Sequence, residues 1–311
     1  MRVAITGVAG YFGSVLLPLL ESETRIDSVI GIDCVVPHQI DAFKKLEFHQ
    51  LDIHNPMIVE LNADVDILVH MAFVLMRRPG ATDPDTVNIQ GSRLVLEAGV
   101  EKSVKKIIFP SCVVGYGLHP DNPIPLTENS PLRPNEALYY SRAKAQVEAI
   151  LDRIESEHPD ITITRLRPCT VVGGRADRNH METMLSPTTA LVKGYDPTFQ
   201  ILYETDLAQA LLLAITDDLP GAYNVTPDEP KTLRQLAEAR GGRVLEIPHP
   251  LIKVLFNILW RTKQTPFAPE WIDPSRYSLV ASNDKLKSRG WQPGKTTQEA
   301  HKTLSEDFGV I

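Results

Sequence analysis

The sequence predicts an α/β protein with a doubly wound parallel sheet, and two observations carry this prediction. Short, nearly continuous apolar runs alternate with segments of helical period through the first half of the chain. Buried strands of this kind are typical of a parallel sheet that helices cover on both faces. A glycine-rich stretch, "TGVAGYFG", follows the first run and opens the first helix, where such folds place a phosphate-binding turn.

The elements follow one another in the order that this fold requires. The predicted strands are "RVAIT", "SVIGID", "LEFHQLD", "DILVHMA", "KKIIFPS" and "ITITRLRP", and the predicted helices cover residues 11–21, 85–102 and 136–157. After Pro168 the alternation weakens, although we expect "FQILY" and "AYNVT" to return to the main sheet. We expect a dinucleotide-binding Rossmann domain and a smaller, mixed substrate-binding region, divided as residues 1–168 with 199–228, and residues 169–198 with 229–311.

Composition argues against several classes of partner. The 311 residues include 32 basic and 39 acidic side chains, a net charge of -7, and no basic stripe that would bind nucleic acid. No segment approaches the ~20 apolar residues of a membrane span, and the first residues lack the pattern of a signal peptide. Cys34, Cys112 and Cys169 lie far apart, without disulfide or zinc spacing. We therefore expect a cytoplasmic protein without a metal site.

The glycine-rich stretch has the spacing of a dinucleotide site. Gly7 is expected to allow a tight turn, Gly10 to let backbone N–H groups approach a pyrophosphate, and Gly13 to bring the helix close to the strand. Asp33 ends the second strand 20 residues after Gly13, where a carboxylate binds the adenine ribose. No Arg or Lys in the following "CVVP" is present to bind a 2′-phosphate, which favours NAD over NADP. Asp52 either binds the adenine or caps its own strand.

Tyr140 and Lys144, in "YYSRAK", stand four residues apart in a predicted helix and therefore share one face. An ammonium close to a phenol favours the phenolate, so such a tyrosine can exchange a proton near neutral pH. The pair occurs by chance on many helices and is weak evidence by itself.

An ordered set of motifs is specific where each motif alone is not. The set comprises "TGVAGYFG", "DILVHMA", "NIQGS", "SCVVGYG", "YYSRAK", "LRPCTVVGG" and "ETDLAQA". Over residues 1–226 the chain resembles the extended short-chain dehydrogenase/reductase family of NAD-dependent epimerases and dehydratases. The resemblance implies hydride transfer between NAD and a carbon bearing an alcohol or carbonyl, with Tyr140 as acid/base and Lys144 as its activator and ribose ligand. It also implies a homodimer.

The resemblance implies a set of cofactor-binding residues. They are Gly7, Gly10, Tyr11, Phe12, Gly13, Asp33, Cys34, Asp52, Ile53, Met71, Ala72, Phe73, Asn88, Tyr140, Lys144 and Pro168. Asn88 is expected to support the sheet and the cofactor site, and the alternative is a surface asparagine.

The chain departs from the family at the catalytic serine, because the usual Ser-Ser pair is here Ser111 followed by Cys112. A thiol is a poorer hydrogen-bond donor than a hydroxyl. Either Ser111 takes the role, or Cys112 donates weakly, or the site performs another reaction. A nucleophilic Cys112 is less favoured, since no neighbouring residue in the sequence supplies a base.

Further departures concern the substrate. Thr170, Val172 and Phe199 stand where nucleotide-sugar enzymes commonly have Asn, Tyr and a diphosphate-binding Arg. We therefore expect a smaller or more apolar alcohol, ketone or aldehyde. The alternatives are a nucleotide-sugar 4-epimerase or dehydratase and, from another class, an NAD-binding regulator without efficient catalysis.

Three other segments are candidates for the cavity wall. Arg175, Arg178 and His180 lie on a loop that is expected to face the cleft, where they either bind an anionic substrate or remain solvated, and "MRR" at residues 76–78 is expected at its mouth. The apolar stretch at residues 249–263 is expected to pack over the substrate site or to form a subunit contact. Its polar face is too thin to favour a membrane-surface helix.

Overall fold

A computed structural model of the chain describes residues 1–75 and 83–310. The "MRR" segment lies outside these residues, and so does the side chain of His180. In the described part the strands are β1 (Arg2–Thr6), β2 (Ser28–Asp33), β3 (Leu46–Gln50), β4 (Ile67–His70), β5 (Lys106–Pro110), β6 (Thr162–Pro168), β7 (Thr170–Val172), β8 (Thr188–Val192), β9 (Thr198–Phe199), β10 (Ile201–Tyr203), β11 (Gly221–Val225), β12 (Lys231–Thr232) and β13 (Arg243–Ile247).

Helices separate most of these strands. They are α1 (Tyr11–Ser22), α2 (Met57–Leu61), α3 (Ser92–Glu101), α4 (Tyr139–Glu157), α5 (Arg178–Leu185), α6 (Glu204–Thr216), α7 (Leu233–Ala239), α8 (His249–Arg261), α9 (Asp284–Lys287) and α10 (Thr297–Asp307). None of the helices in the described ranges combines the length and the apolarity needed to cross a membrane.

Seven strands form the main sheet in the order β11-β6-β5-β4-β1-β2-β3, and every neighbouring pair in it is parallel. Strand β1 lies at the point where the order reverses, with Ala4 paired to Ile30 of β2 on one side and to Leu68 of β4 on the other. The predicted doubly wound α/β fold is confirmed. All carboxyl ends meet at one edge, where this topology opens a crevice.

The two faces of the sheet bury separate apolar cores. Because side chains alternate along a strand, Val3 and Ile5 of β1 pack with residues of α1 and α6, whereas Ala4 packs with residues of α3 and α4. Helices on both faces shield the parallel sheet from water, as its near-continuous apolar runs predict.

The helix predicted over residues 85–102 begins differently from expectation. It opens with a π-helical turn, Thr86–Gly91, and continues as α3. Single wide turns of this kind are rare and often accompany a functional residue. Here the turn carries Asn88, whose side chain is fully buried.

One expected strand does not join the main sheet. "AYNVT" returns to it as β11, parallel to β6, but the expectation for "FQILY" is wrong. Part of "FQILY" forms β10, which pairs with β7 in a separate two-stranded sheet, and β9 pairs with β12. The strand beside β6 is β11, and β10 pairs with β7, the strand that directly follows β6 in the chain. The division of the chain into a cofactor part and a substrate part stays a prediction.

Gly13 provides a direct test of the close contact between β1 and α1. A Cβ atom there would lie 2.0 Å from the Val8 carbonyl oxygen, inside the turn. We predict that Gly13→Ala lowers the free energy of unfolding by about 3 kcal/mol, although helix propensity alone favours alanine by about 1 kcal/mol. Urea-induced unfolding measures the change.

The matched control is Gly115→Ala, because its Cβ would meet Leu132 at an ordinary 3.5 Å. This control should shift the unfolding free energy by no more than about 0.5 kcal/mol. Equal shifts for the two variants would contradict the predicted steric constraint.

Candidate functional site

A cavity of about 1030 Å³ lies beyond the carboxyl ends of the main strands. Its size is at the upper end of small-molecule sites, which span ≈ 300–1,000 Å³. Predicted site residues that line it are Gly10, Tyr11, Phe12, Phe73, Ser111, Cys112, Tyr140 and Pro168. The glycine turn and the Tyr140 region therefore face one continuous space.

The glycine turn has the geometry of an anion site. Gly7 adopts a φ of +74°, and a Cβ there would lie 2.5 Å from the Ala72 backbone nitrogen, so only glycine fits. Gly10 caps α1 without a side chain, and no acidic residue lies in the first turn of that helix. The first-turn N–H groups, which a helix leaves without partners, are therefore suited to the pyrophosphate of a dinucleotide.

Asp33 holds the outer edge of this turn. Its carboxylate accepts hydrogen bonds from the Ala9 backbone N–H at 2.9 Å and the Val35 N–H at 3.2 Å. Ala9 lines the cavity, whereas Asp33 stands immediately behind it. The carboxylate thus lies beside the turn, at the position where the sequence places a ribose contact.

Asp52 is engaged by its own neighbours. One carboxylate oxygen accepts the His54 backbone N–H at 2.8 Å and lies 2.6 Å from the His54 ring Nδ1, and the Cys34 thiol donates to the other oxygen at 3.6 Å. The hydrogen bonds from His54 lower the pKa of the Asp52 carboxyl. Neither Asp52 nor Cys34 lines the cavity, and these contacts are those of a strand-end cap.

The remaining predicted cofactor residues do not line the cavity; they are Gly7, Gly13, Ile53, Met71, Ala72, Asn88 and Lys144. Asn88 is fully buried, so the alternative of a surface asparagine is wrong. Its carboxamide accepts the Val74 N–H at 2.7 Å and donates to the Val74 carbonyl at 2.9 Å. Because Val74 lines the cavity, Asn88 fixes the backbone of the wall after β4.

Tyr140 and Cys112 both line the cavity. Loss of solvent raises the pKa of both groups, and the two side chains lie close enough for each to affect the pKa of the other. The Cys112 sulfur accepts a hydrogen bond from the Val114 backbone N–H at 3.5 Å. The ring of Phe73 packs edge-on against Tyr140, with centroids 5.8 Å apart. The site thus holds a phenol and a thiol side by side, both protonated at neutral pH.

Ser111 and Cys112 point to different partners. The Ser111 hydroxyl donates to Glu148 at 2.5 Å, while Cys112 contacts Tyr140. Consecutive residues at the end of β5 alternate in direction, which accounts for the difference. In this arrangement Cys112, and not Ser111, presents its side-chain donor beside the phenol.

Lys144 lies beneath Tyr140 and not against its hydroxyl. Its Nζ donates to the Pro110 carbonyl at 2.7 Å and stands 3.7 Å from the Phe73 ring centroid. Burial lowers the pKa of Lys144 to about 7. The expected lowering of the Tyr140 pKa by Lys144 is absent here, because desolvation dominates and raises the pKa of that phenol.

A buried ion pair below the site was missed in the sequence. Arg167 of β6 binds Glu148 of α4 through Nη2 at 2.5 Å and Nε at 2.9 Å, and it also donates to the Tyr116 hydroxyl at 2.8 Å. These bonds raise the pKa of Arg167 despite its burial. Glu148 follows Lys144 by four residues on the buried face of α4, and a charge on such a face was the available signal.

His70 was also missed, although it is a polar residue inside a predicted buried strand. Its ring nitrogens lie 2.7 Å from the hydroxyl oxygens of Thr6 and Ser92. Burial, together with the charge of Lys144, lowers the pKa of His70 to about 3. The imidazole is therefore neutral and serves as a fixed link between β1 and α3.

The wall opposite the glycine turn is largely aromatic. Phe199, Phe267, Trp271 and Leu279 line it, and the Trp271 ring centroid lies 6.3 Å from that of Tyr140. Three of these four come from the last third of the chain, where no motif marked them. Thr170 lines the same cavity, whereas Val172 is buried in a small core with α10 and does not reach it.

Arg175 lies in the loop expected after β7, whereas Arg178 and His180 belong to α5, so the expectation of a loop is wrong for these two residues. Arg175 lines the cavity and donates to the Ser14 carbonyl of α1 at 2.9 Å. The Arg178 guanidinium instead lies 5.5 Å from the Phe308 ring centroid and does not line the cavity. Of Arg175 and Arg178, it is therefore Arg175 that places its positive charge at the cavity.

The segment at residues 249–263 forms α8, which does not line the cavity. The turn after it does, because Phe267 and Trp271 both belong to the wall. The expected covering of the site is thus provided by the connection and not by the helix.

Comparison with known proteins agrees with this geometry. Residues 3–226 match the NAD dependent epimerase/dehydratase family. The 4-epimerase of N-acetyl-α-D-glucosaminyl-diphospho-ditrans,octacis-undecaprenol from Escherichia coli O157:H7 is 38% identical over 241 residues, which is 71% of each chain. An uncharacterised protein of Mycobacterium tuberculosis is 27% identical over 96% of this chain and 81% of its own.

Solved structures share the fold over the whole length. The UDP-glucose 4-epimerase of Thermus thermophilus, in complex with NAD, has a TM-score of 0.76 at 23% identity and is covered over 100% of both chains. The family match spans well over half of the present sequence and includes both the glycine turn and the Tyr140–Lys144 helix. The chain therefore belongs to the NAD-dependent epimerase/dehydratase family and is an NAD-dependent enzyme.

Proposed function

We propose that the protein transfers a hydride between NAD and a secondary alcohol or ketone carbon, with Tyr140 as the acid/base. The observation that carries the proposal is that Tyr140 and Cys112 line the same continuous cavity as the glycine turn. An alcohol oxygen seated against these two donors would place its carbon within that same space. Bound NAD supplies the group that accepts or returns the hydride.

The proton and the electron pair follow separate routes in this reaction. In the oxidising direction the substrate loses its hydroxyl proton to Tyr140 as phenolate, and the C–H bond breaks with both electrons leaving as hydride. In the reducing direction Tyr140 returns the proton to the oxygen. Cys112 donates a hydrogen bond to the same oxygen, and neutral thiol is the form that its raised pKa favours.

Lys144 is proposed to bind the nicotinamide ribose and, once NAD is bound, to favour the phenolate of Tyr140, whose pKa is raised by burial. A pKa of about 7 leaves its ammonium partly deprotonated near neutral pH. The Pro110 carbonyl and the Phe73 ring favour the charged form, whereas burial opposes it. The protonation state of Lys144 is consequently responsive to whatever charge enters the cavity.

The cofactor would be held by the glycine-turn N–H groups, with Asp33 at the adenine ribose. Arg175 adds a positive charge beside the first turn of α1. The proposal includes a homodimer formed through α4. It also includes a cytoplasmic location, which the free thiols of Cys34, Cys112 and Cys169 support.

A second candidate is 4-epimerisation of a diphosphate-linked sugar. It is supported by the relative from Escherichia coli, whose name describes that reaction on a lipid-linked sugar. Against a nucleotide-sugar substrate stands Phe199 in the cavity wall, where an arginine commonly binds the diphosphate. An NAD-binding regulator is less favoured, because it would have no need for the Tyr140–Cys112 pair.

Incubation with NAD distinguishes the candidates. We would offer secondary alcohols and diphosphate-linked sugars in parallel, following reduced nicotinamide by its near-ultraviolet absorbance and sugar configuration by proton NMR. Net reduction of NAD with an alcohol supports the oxidoreductase. Inversion of a sugar without net reduction supports the epimerase, and neither change with any substrate would favour the regulator.

Tyr140→Phe tests the acid/base assignment. General acid–base catalysis contributes typically 10²–10⁴-fold, so kcat should fall at least about 100-fold while the Kd for NAD, measured by calorimetry, stays unchanged. Tyr195→Phe, which alters an exposed phenol that does not line the cavity, is the control and should retain full activity. Loss of NAD binding together with turnover would remove this role for Tyr140.

Cys112→Ser tests the role of the thiol. Because a hydroxyl donates better than a thiol, this variant should match or exceed the natural kcat. Cys112→Ala should reduce kcat about fivefold, the effect of losing one hydrogen bond worth about 1 kcal/mol. Complete inactivation of the serine variant would instead indicate covalent catalysis by Cys112.

Lys144→Met tests the buried ammonium through stability. The folded-state pKa of about 7 lies below the ordinary 10.5, so the unfolded chain binds more protons between these values and stability rises with pH across that window. The variant, studied without NAD, should lose this rise in urea unfolding. Lys105→Met, at an exposed lysine, should keep it. If the difference in stability between the natural protein and Lys144→Met did not change with pH over the window, the lowered pKa of Lys144 would be contradicted, because the raised pKa values of Cys112 and Tyr140 affect both proteins.

A further inference from the structure

Helix α8 presents an apolar stripe to solvent. Leu251, Val254, Leu255 and Ile258 are 61%, 59%, 40% and 55% exposed. Their spacing places them on one face of the helix. Single exposed aliphatic residues are ordinary on protein surfaces, whereas a contiguous stripe along one helix marks an interaction surface.

The orientation of α8 is fixed by its opposite face. Ile252 is buried in a small core with Val192 and Ile272. Lys253 lies 2.8 Å from one carboxylate oxygen of Asp273, and His249 lies 2.6 Å from the other. Since both apolar and ionic contacts hold this inner face, rolling the helix to bury its outer stripe would break them.

Positive charge accompanies the stripe. Arg261 is the last residue of α8, and Lys263 follows two residues later; both are exposed. The chain as a whole carries a net charge of -7, so this pair of neighbouring positive charges differs in sign from the chain's overall charge. An apolar face flanked by exposed basic side chains is the combination that seats an interfacial helix on anionic lipid.

We propose that α8 binds the surface of an anionic lipid bilayer, with its stripe in the headgroup boundary and Arg261 and Lys263 at the lipid phosphates. A second copy of the chain fits the stripe less well. Four aliphatic side chains supply only a small part of the ~800 Å² per partner that a standard interface buries. A bilayer needs no such area, because shallow insertion of one apolar helix face suffices.

This inference goes beyond the proposed hydride transfer and does not depend on it. The thin polar face did not by itself favour a membrane-surface helix in the sequence; the exposure of the aliphatic stripe, which the sequence does not show, is the observation that changes this expectation. Apart from Asn257, the polar side chains of α8 are His249 and Lys253, which bind Asp273, and Arg261 at the end of the helix. Aliphatic side chains therefore make up the outward surface.

Vesicle co-sedimentation of the full chain tests the proposal. We expect binding to phosphatidylcholine vesicles containing phosphatidylglycerol and weaker binding to phosphatidylcholine alone. Val254→Asp should reduce the partition coefficient about tenfold, because it removes an isopropyl group that enters the bilayer and adds an anion. Arg261→Gln with Lys263→Gln should weaken binding to the anionic vesicles only.

Ile124→Asp is the matched control, since Ile124 is 62% exposed and lies outside α8. It should bind vesicles as the natural chain does, and circular dichroism should show each variant folded. Absence of binding to either vesicle type would overturn the proposal, as would an equal loss with Ile124→Asp. A dimer by light scattering that Val254→Asp dissociates, without vesicle binding, would assign the stripe to a second copy.

Discussion

The ion pair between Glu148 and Arg167 determines how the reactive side chains are presented. It joins α4, which carries Tyr140 and Lys144, to β6 in the centre of the molecule. Ser111 donates to the same carboxylate, so the chain leaving β5 is tied to the pair. A buried pair of this type adds little net stability over apolar packing, yet removing one partner typically costs 3–5 kcal/mol. Its contribution here is to fix geometry.

Because consecutive side chains point in alternate directions, the position of Ser111 also determines that of Cys112. Ser111 and Cys112 both line the cavity, but the Ser111 hydroxyl donates to Glu148, whereas the Cys112 thiol lies beside Tyr140. The low-polarity surroundings then act on every titratable group nearby: His70 is held neutral, and Lys144 is brought close to neutrality. The site therefore contains few permanent charges, and proton positions within it are set by burial more than by neighbouring ions.

The fold and the cofactor turn were predictable because they depend on local patterns. Apolar periodicity located the strands of the main sheet, and glycines at a fixed spacing marked a turn that backbone sterics explain at Gly7 and Gly13. The pairing of "FQILY" was not predictable in this way. Whether a short apolar run joins one sheet or another depends on which edge is already occupied, and that is a long-range property.

The same distinction applies to the site. Tyr140 and Lys144 were visible as a spacing, but the partners of Ser111 and Cys112 depend on Glu148, which is distant in sequence. The aromatic wall was invisible for a related reason. Phe267 and Trp271 reach the cavity through the path of an irregular connection, and no periodic pattern encodes such a path.

The cavity wall is assembled from two separate parts of the chain. The sheet and its turns, within the part that matches the family, supply the glycine turn and Tyr140, while the connection after α8 supplies Phe267 and Trp271. Helix α8 itself packs on a small core apart from the two cores of the main sheet. Substitutions at Phe267 would therefore change the shape of the cavity from a segment outside the part that matches the family, and leave the glycine turn as it is.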